Sequence, residues 1–391
     1  MRINNFIGNI IITKIHDMGE GTIRRIDWES FVPGVLFFRA FHATFKWSLI
    51  ILLAFFFSVS EEAFPESAKR CPLFPNVGES LTKRDDFLTL VSYSLECAFQ
   101  PVSTAWNVIH SFFPSSEGIT LLEKMAKSPE SIAFTICFVL IFMTIALAIS
   151  RTTVVRLCSS SRSSAYASLK FSLVRWRANF LTVCPLIVFL LASWGVLLFD
   201  SLTNDCAFAA CISALLALGA SISAGVVCAA IPLMTSAIAA QNCDGFDAIS
   251  RGVSYLLERL AFFLLYACVA QVLVIVGCSL VSLACRTAIC LLSVNYDETC
   301  SSCHWGEIFL GNLPLSYSFV AAIAYSNAIY ILLRRSVDGT SHDECALDLT
   351  GNKPRQLRSI LKDGKGAPTF DAHNAERESA SPEVQGKDGE N

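Results

Sequence analysis

Long apolar runs alternate along the chain with short basic or mixed stretches, and the runs are too long for the single apolar stripe of a soluble helix. Ser131 to Ile149, Phe180 to Phe199 and Leu315 to Leu333 contain no charged residue, and Leu260 to Ala284 is a further uncharged run. A hydrocarbon layer of about 30 Å is crossed by roughly 20 apolar residues of helix, because only a helix satisfies its backbone polar groups within the segment. Each run predicts one span. Ala207 to Ala240 is uncharged for longer than one crossing requires. It reads as one tilted or Pro232-bent span with an interfacial end, with a re-entrant turn as the other reading.

The first span is less clean. Trp47 to Ser60 reaches spanning length only by extending back through Lys46, His42 and Arg39. These share one helical face, where long stems can reach the headgroups while Phe37, Phe38, Phe41 and Phe45 enter the apolar zone. An interfacial helix running into span one is expected. The pattern predicts an all-α fold, a polytopic transmembrane helical bundle of about six spans, near 36–60, 131–149, 180–199, 207–234, 260–284 and 315–333.

Charge adds orientation. Arg24, Arg25, Arg39 and Lys46 flank span one, Arg151, Arg156, Arg162, Lys170, Arg175 and Arg177 follow span two, Arg251 and Arg259 precede span five, and Arg334 and Arg335 follow the last span. All fall on one side of a six-span bundle, so the positive-inside rule predicts that both termini are cytoplasmic, in a cell inner membrane. The apolar patch at Ile10 to Thr13 is too brief for a signal h-region, and retention of the N-terminus is expected. Residues 1–35 then form a cytoplasmic segment and 36–335 the transmembrane domain. Residues 61–130 are expected as a small extracytoplasmic cap, with Ser116 to Ala126 as a capped amphipathic helix. Residues 336–391 are polar, rich in Gly, Asp, Glu and Lys and poor in aromatics, which predicts a disordered cytoplasmic tail with a short basic helix at Pro354 to Lys362.

Composition agrees with a bilayer as the main partner. Over 391 residues, 53% are hydrophobic and only 16% charged, with 29 Phe and a mean hydropathy of +0.52, an apolar surplus beyond what a soluble core needs. A net charge of −3 argues against nucleic acid as a partner, since that binding rests on clustered basic surface.

Sixteen cysteines are sorted by topology. Those within spans act as small hydrophobes. Cys71, Cys97, Cys206, Cys290, Cys300 and Cys303 are expected outside, where disulfides persist, with Cys71 to Cys97 as one pairing. Cys300-Ser301-Ser302-Cys303-His304 has the C-x-x-C-H spacing of covalent haem attachment, two thiols for the vinyl groups and an imidazole for iron. Against haem stand the acidic flanks Asp297, Glu298 and Glu307, the thin supply of second axial ligands, and the short stretch available to enclose a cofactor. A disulfide within the motif or to Cys290 is the favoured reading. No cofactor and no metal are expected.

Inside the spans, small residues such as Ser221 and Gly225 allow close helix approach, and Gln271 is the strongly polar side chain in mid-span five. Spans two to six hold no ionisable residue, which weighs against an ion-coupled transporter. Between spans four and five, Asp244 suits a helix N-cap with Asp247 at the third position, and Asp247 with Arg251 form an i, i+4 pair. These three residues are read as structural, because two carboxylates and an arginine define no reaction.

Pro232-Leu233-Met234, followed by Asp244-Gly245-Phe246-Asp247-Ala248-Ile249-Ser250-Arg251 and Tyr255, resembles a family of uncharacterised polytopic bacterial membrane proteins with a P-L-M then D-x-F-D-A-x-S-R-x-x-x-Y pattern. Trp28 to Phe41 looks like that family's N-terminal entry, and Arg151 to Phe180 is similar to its basic loop. Gln241-Asn242 and Glu258-Arg259-Leu260 depart from it. The resemblance implies fold and location only. The function expected is a non-enzymatic scaffold, assembly or envelope component with membrane-protein partners or further copies of itself. A transporter or channel is the first alternative, and an extracytoplasmic redox protein using C-x-x-C-H the second.

Overall fold

The computed structural model describes residues 34–64, 87–112, 129–159, 164–202, 207–295 and 301–338, with two short strands further on. The helices are α1 (Gly34–Thr44), α2 (Trp47–Ala63), α3 (Phe87–Phe112), α4 (Pro129–Ser159), α5 (Ala165–Val174), α6 (Trp176–Leu181), α7 (Cys184–Leu202), α8 (Ala207–Gln241), α9 (Gly245–Glu258), α10 (Leu260–Asn295) and α11 (Ser301–Asp338). Strands β1 (Leu361–Lys362) and β2 (Pro368–Thr369) pair antiparallel. Leu361 and Lys362 are thus extended where the end of a basic helix was expected. The N-terminal segment, the 116–126 helix and most of the tail lie outside the described residues.

Apart from that strand pair the described residues are helical, and the protein is a multi-pass membrane protein. Four helices, α4, α8, α10 and α11, are long and apolar enough to cross a bilayer, and up to six crossings result if two bent pairs each count as one. One bent pair is α1 with α2, which turn by 55° at Phe45 and Lys46, so the helix expected ahead of span one is a separate element. In the other, α5 meets the segment Trp176–Phe189 at 65°. The stretch from Arg151 to Phe180, expected as a basic loop, instead carries α5 and α6. Its short polar side chains make this packing possible: the Thr152 and Ser168 hydroxyls meet at 2.8 Å and Ser172 donates to the Thr144 carbonyl. Small hydroxyl residues let two helices approach closely and supply an interhelical bond in lipid.

α11 is the hub. It packs against α1, α2, α3, α4, α8, α9 and α10. Tyr317, Tyr325 and Tyr330 are among its fully buried side chains. Phe57 of α2, Phe138 and Phe142 of α4 and Phe319 of α11 form a continuous aromatic contact, with Phe57 to Phe319 at 5.7 Å and Phe142 to Phe319 at 5.6 Å between centroids. Such offset and edge-on pairs add to area burial. Polar bonds hold the same helix: Asn327 accepts from the Ser150 hydroxyl at 2.7 Å and meets Thr153 Oγ1 at 2.6 Å, and Asn312 Nδ2 donates to Ser58 at 3.2 Å.

The region expected as an extracytoplasmic cap contributes α3 to this core. Leu90, Tyr93, Cys97 and Ala98 are buried in the main hydrophobic cluster, against α10 and α11. The Tyr93 hydroxyl donates to the Gly311 carbonyl at 2.7 Å. Cys97 is therefore enclosed in the bundle, with Cys278 as an electrostatic neighbour. Cys71 lies outside the described residues. The apolar run of α3 is interrupted by Glu96, Gln100 and Pro101, which hid it from a search for uncharged spans.

Candidate functional site

Two places in the bundle gather polar groups. The first is the junction of α8, α9 and α11. Asn242, at φ +55°, ends α8 in the left-handed conformation that asparagine tolerates, and its N–H bonds the Ile238 carbonyl at 3.0 Å. Asp244 occupies the N-cap position of α9 but makes no side-chain cap bond. Its exposed carboxylate instead faces Arg175 at 3.4 Å, joining the α8–α9 loop to the break between α5 and α6. Gly245 lets α6 come close, since a Cβ there would lie 2.7 Å from the Ala178 carbonyl.

Arg251 is the centre of this junction. Its Nε donates to Asp247 Oδ1 at 2.9 Å, the expected i, i+4 pair, and its Nη1 donates to Gln241 Oε1 at the end of α8. One turn on, the Tyr255 hydroxyl donates to Asp338 Oδ2 at the end of α11. The bond to Asp247 holds the Arg251 guanidinium above its usual pKa. Burial, with the bond to Asp338, pushes the Tyr255 phenol well above its ordinary range, and burial raises the Cys243 thiol to about 11. All three therefore keep their protons at neutral pH. A charged arginine, a neutral phenol and a neutral thiol fit a clamp on helix ends and offer no general base.

Asp244, Asp247 and Arg251 thus fall in one junction with Tyr255, joined by Gln241, Arg175 and Asp338, whose part in it the sequence did not reveal. Tyr255 was visible as part of the motif, but its partner Asp338 is remote in sequence and had been assigned to the tail. Of the C-x-x-C-H motif, Cys300 lies outside the described residues. Cys303 and His304 belong to the first turn of α11, with side chains also outside the description. No three His, Cys, Asp or Glu side chains gather as a metal site among the described residues.

The second place is a cleft of about 130 Å3 between α3, α8, α10 and α11. Pro101 of α3 and Pro232 of α8 both line it, beside Gln271 of α10 and Tyr325 and Ser326 of α11. A proline supplies no N–H to the carbonyl four residues earlier, so each helix, though continuous, lacks one backbone bond where it meets the cleft. Gln271 Nε2 donates to the Ala98 carbonyl at 3.0 Å, which explains the polar side chain in mid-span. The Tyr325 hydroxyl is buried and meets no partner among the described residues. Comparison of the chain with protein-family models, curated proteins and solved structures finds no significant match.

Proposed function

We propose that the protein is a non-enzymatic helical bundle of a bacterial inner membrane that serves as a scaffold or assembly component, with both termini cytoplasmic. The observation that supports this reading is the use made of polar side chains within the bundle. Asn327 with Ser150 and Thr153, Gln271 with Ala98, and Thr44 with Tyr317 at 3.2 Å are interhelical bonds, so these groups hold helices together. The Arg251 clamp at the ends of α8, α9 and α11 belongs to the same design. Kinship with the membrane-protein family that the P-L-M and D-x-F-D-A-x-S-R segment resembles is part of this proposal and rests on that segment.

In-cell photocross-linking from the exposed face of α7 and α8, followed by mass spectrometry, tests the scaffold reading. One membrane protein, or a second copy of the chain, is expected at a defined position. Solute flux in proteoliposomes above that of empty vesicles would replace scaffolding with transport. For orientation, an outside-only thiol reagent applied to intact cells is expected to spare a probe placed at 160–163. A covalent haem band that vanishes in Cys300→Ala would promote the redox alternative.

A further inference from the structure

We infer that the corner where the break between α1 and α2 meets the end of α4 binds an anionic phospholipid, its phosphate held by Lys46 and Arg156 and an acyl chain lying along Phe38. This goes beyond the scaffold reading and stands without it. Three cations converge at the corner. Arg39 Nη2 donates to the Arg156 carbonyl at 3.3 Å, one of the last-turn carbonyls that a helix leaves without an internal partner. That bond helps seat α1 on α4, and Lys46, in the break, lies close enough to Arg156 to feel its charge. Like charges held together repel, and an anion placed between them relieves the cost.

The helices that build the corner bring no carboxylate to it. α1, the chain from Phe45 to Ser60, α4 from Ser131 onward and α5 contain no Asp or Glu. The same end of the bundle, where Arg151 of α4 reaches the Ala239 carbonyl of α8 at 2.6 Å, is balanced on its other side: Arg175 meets Asp244, Arg251 meets Asp247 and Arg334 meets Asp338. Position selects a lipid as the source of the anion. Arg156 stands about two helical turns past the uncharged run that ends at Ile149, and Lys46 precedes the apolar run of α2, so both charges lie at headgroup level. Arg39, Lys46 and Arg156 are each partly exposed, within reach of a ligand. Phe38 beside them is 70% exposed and offers apolar surface to a chain. An arginine fork pairs with two phosphate oxygens while lysine adds a point charge. A zwitterionic lipid would bring its own cation into a site that is already positive, so a headgroup of net negative charge is favoured.

The test uses the full chain purified in detergent, with dioleoyl phosphatidylglycerol as probe and dioleoyl phosphatidylcholine for comparison, bound lipid being counted by native mass spectrometry at fixed ionic strength. Saturable binding with preference for phosphatidylglycerol is expected. Lys46→Gln and Arg156→Gln are each expected to weaken it about fivefold, the worth of one cation near a charged lipid surface. Arg259→Gln, an exposed cation next to Glu258 on the balanced side, should change little. Lys46→Arg keeps the charge and is expected to retain binding, which separates loss of the site from loss of the fold. Equal binding of the two lipids, losses in Lys46→Gln and Arg156→Gln no larger than in Arg259→Gln, or loss in Lys46→Arg as well would overturn the inference. Displacement of the lipid by an equal concentration of inorganic phosphate would also overturn it, since the site would then take a soluble anion.

Discussion

α11 and the hairpin of α7 with the first half of α8 are both long apolar helices, yet they occupy opposite places in the molecule. Of the apolar window of α11, 61% is buried, against 17% for α8, although α11 has the lowest mean hydropathy of the four long helices. Leu215, Leu216, Leu218 and Ile222 on α8 are exposed, as are Val188 and Leu191 on α7. In water this ordering would be reversed. In a bilayer, lipid tails are as apolar as leucine, so burial of apolar surface does not drive helices together. What selects the central helix is its ability to pack, through Tyr317, Tyr325 and Tyr330, and to bond, through Tyr317, Asn312 and Asn327, whereas the hairpin presents side chains that are as content in lipid as in protein.

The sharpest way to break this comparison uses glycines from the two regions. A Cβ at Gly277 would fall 1.9 Å from the hydroxyl of Tyr317, a fully buried side chain with no room to move, whereas Gly219 and Gly225 have nothing within 4 Å. Gly277→Val is expected to cost on the order of 1–3 kcal/mol or more, the range for overpacking. Gly219→Val should change little. Unfolding temperature in detergent, followed by fluorescence size exclusion, reads both, and equal losses would refute the contrast.

Next in size is the polar bond. Asn327→Leu leaves Ser150 and Thr153 without their shared partner and is expected to cost about 1 kcal/mol. Ser221→Ala on α8, whose hydroxyl bonds, among the described residues, the Ala217 carbonyl of its own helix, should be neutral. Both are read in the same assay, and parity between them would show that the α4–α11 bond contributes nothing.

The clamp comes third. Arg251→Ala or Asp247→Ala removes a partly exposed pair and is expected to lower stability by about 0.5 kcal/mol, seen as reduced folded yield with the bundle otherwise intact. Loss of a cellular activity at full abundance would instead give Arg251 a direct functional role.

The smallest expected effect concerns Cys243. Its thiol, ordinarily near 9, is raised to about 11 in the fold. The unfolded thiol ionises first as pH climbs, so this group's contribution is fully present below about pH 9 and is lost between 9 and 11. Alkylation of a variant retaining Cys243 alone should be slow at pH 8 and accelerate toward pH 11. Rapid labelling at pH 8 would show that the α8–α9 loop opens to solvent.

Much of this organisation can be read before folding is considered. The uncharged runs locate α4, α8, α10 and α11, because hydropathy over a bilayer thickness is a local property. The Asp247 and Arg251 pair was legible for the same reason, being set by helical spacing alone. α3 was not legible: Glu96, Gln100 and Pro101 break its apolar run, and its place in the core depends on bonds to Gly311 and Gln271 that are far away in sequence. Nor was α5, whose Ser168 and Ser172 look like loop residues until α4 supplies Thr152 and the Thr144 carbonyl as partners.

By itself, then, the amino-acid order determined that this chain is helical, enters the membrane repeatedly and carries a polar junction between its fourth and fifth apolar runs. Only the tertiary structure decided that the least apolar of the long helices stands at the centre, that Asp338 closes the Tyr255 end of the clamp, and that two prolines face Gln271 and Tyr325 across one cleft. The physical reason is the solvent. Hydropathy reports the free energy of leaving water, which every long helix here shares, whereas the choice of neighbours within a bilayer rests on shape and hydrogen bonding between residues that no local pattern connects.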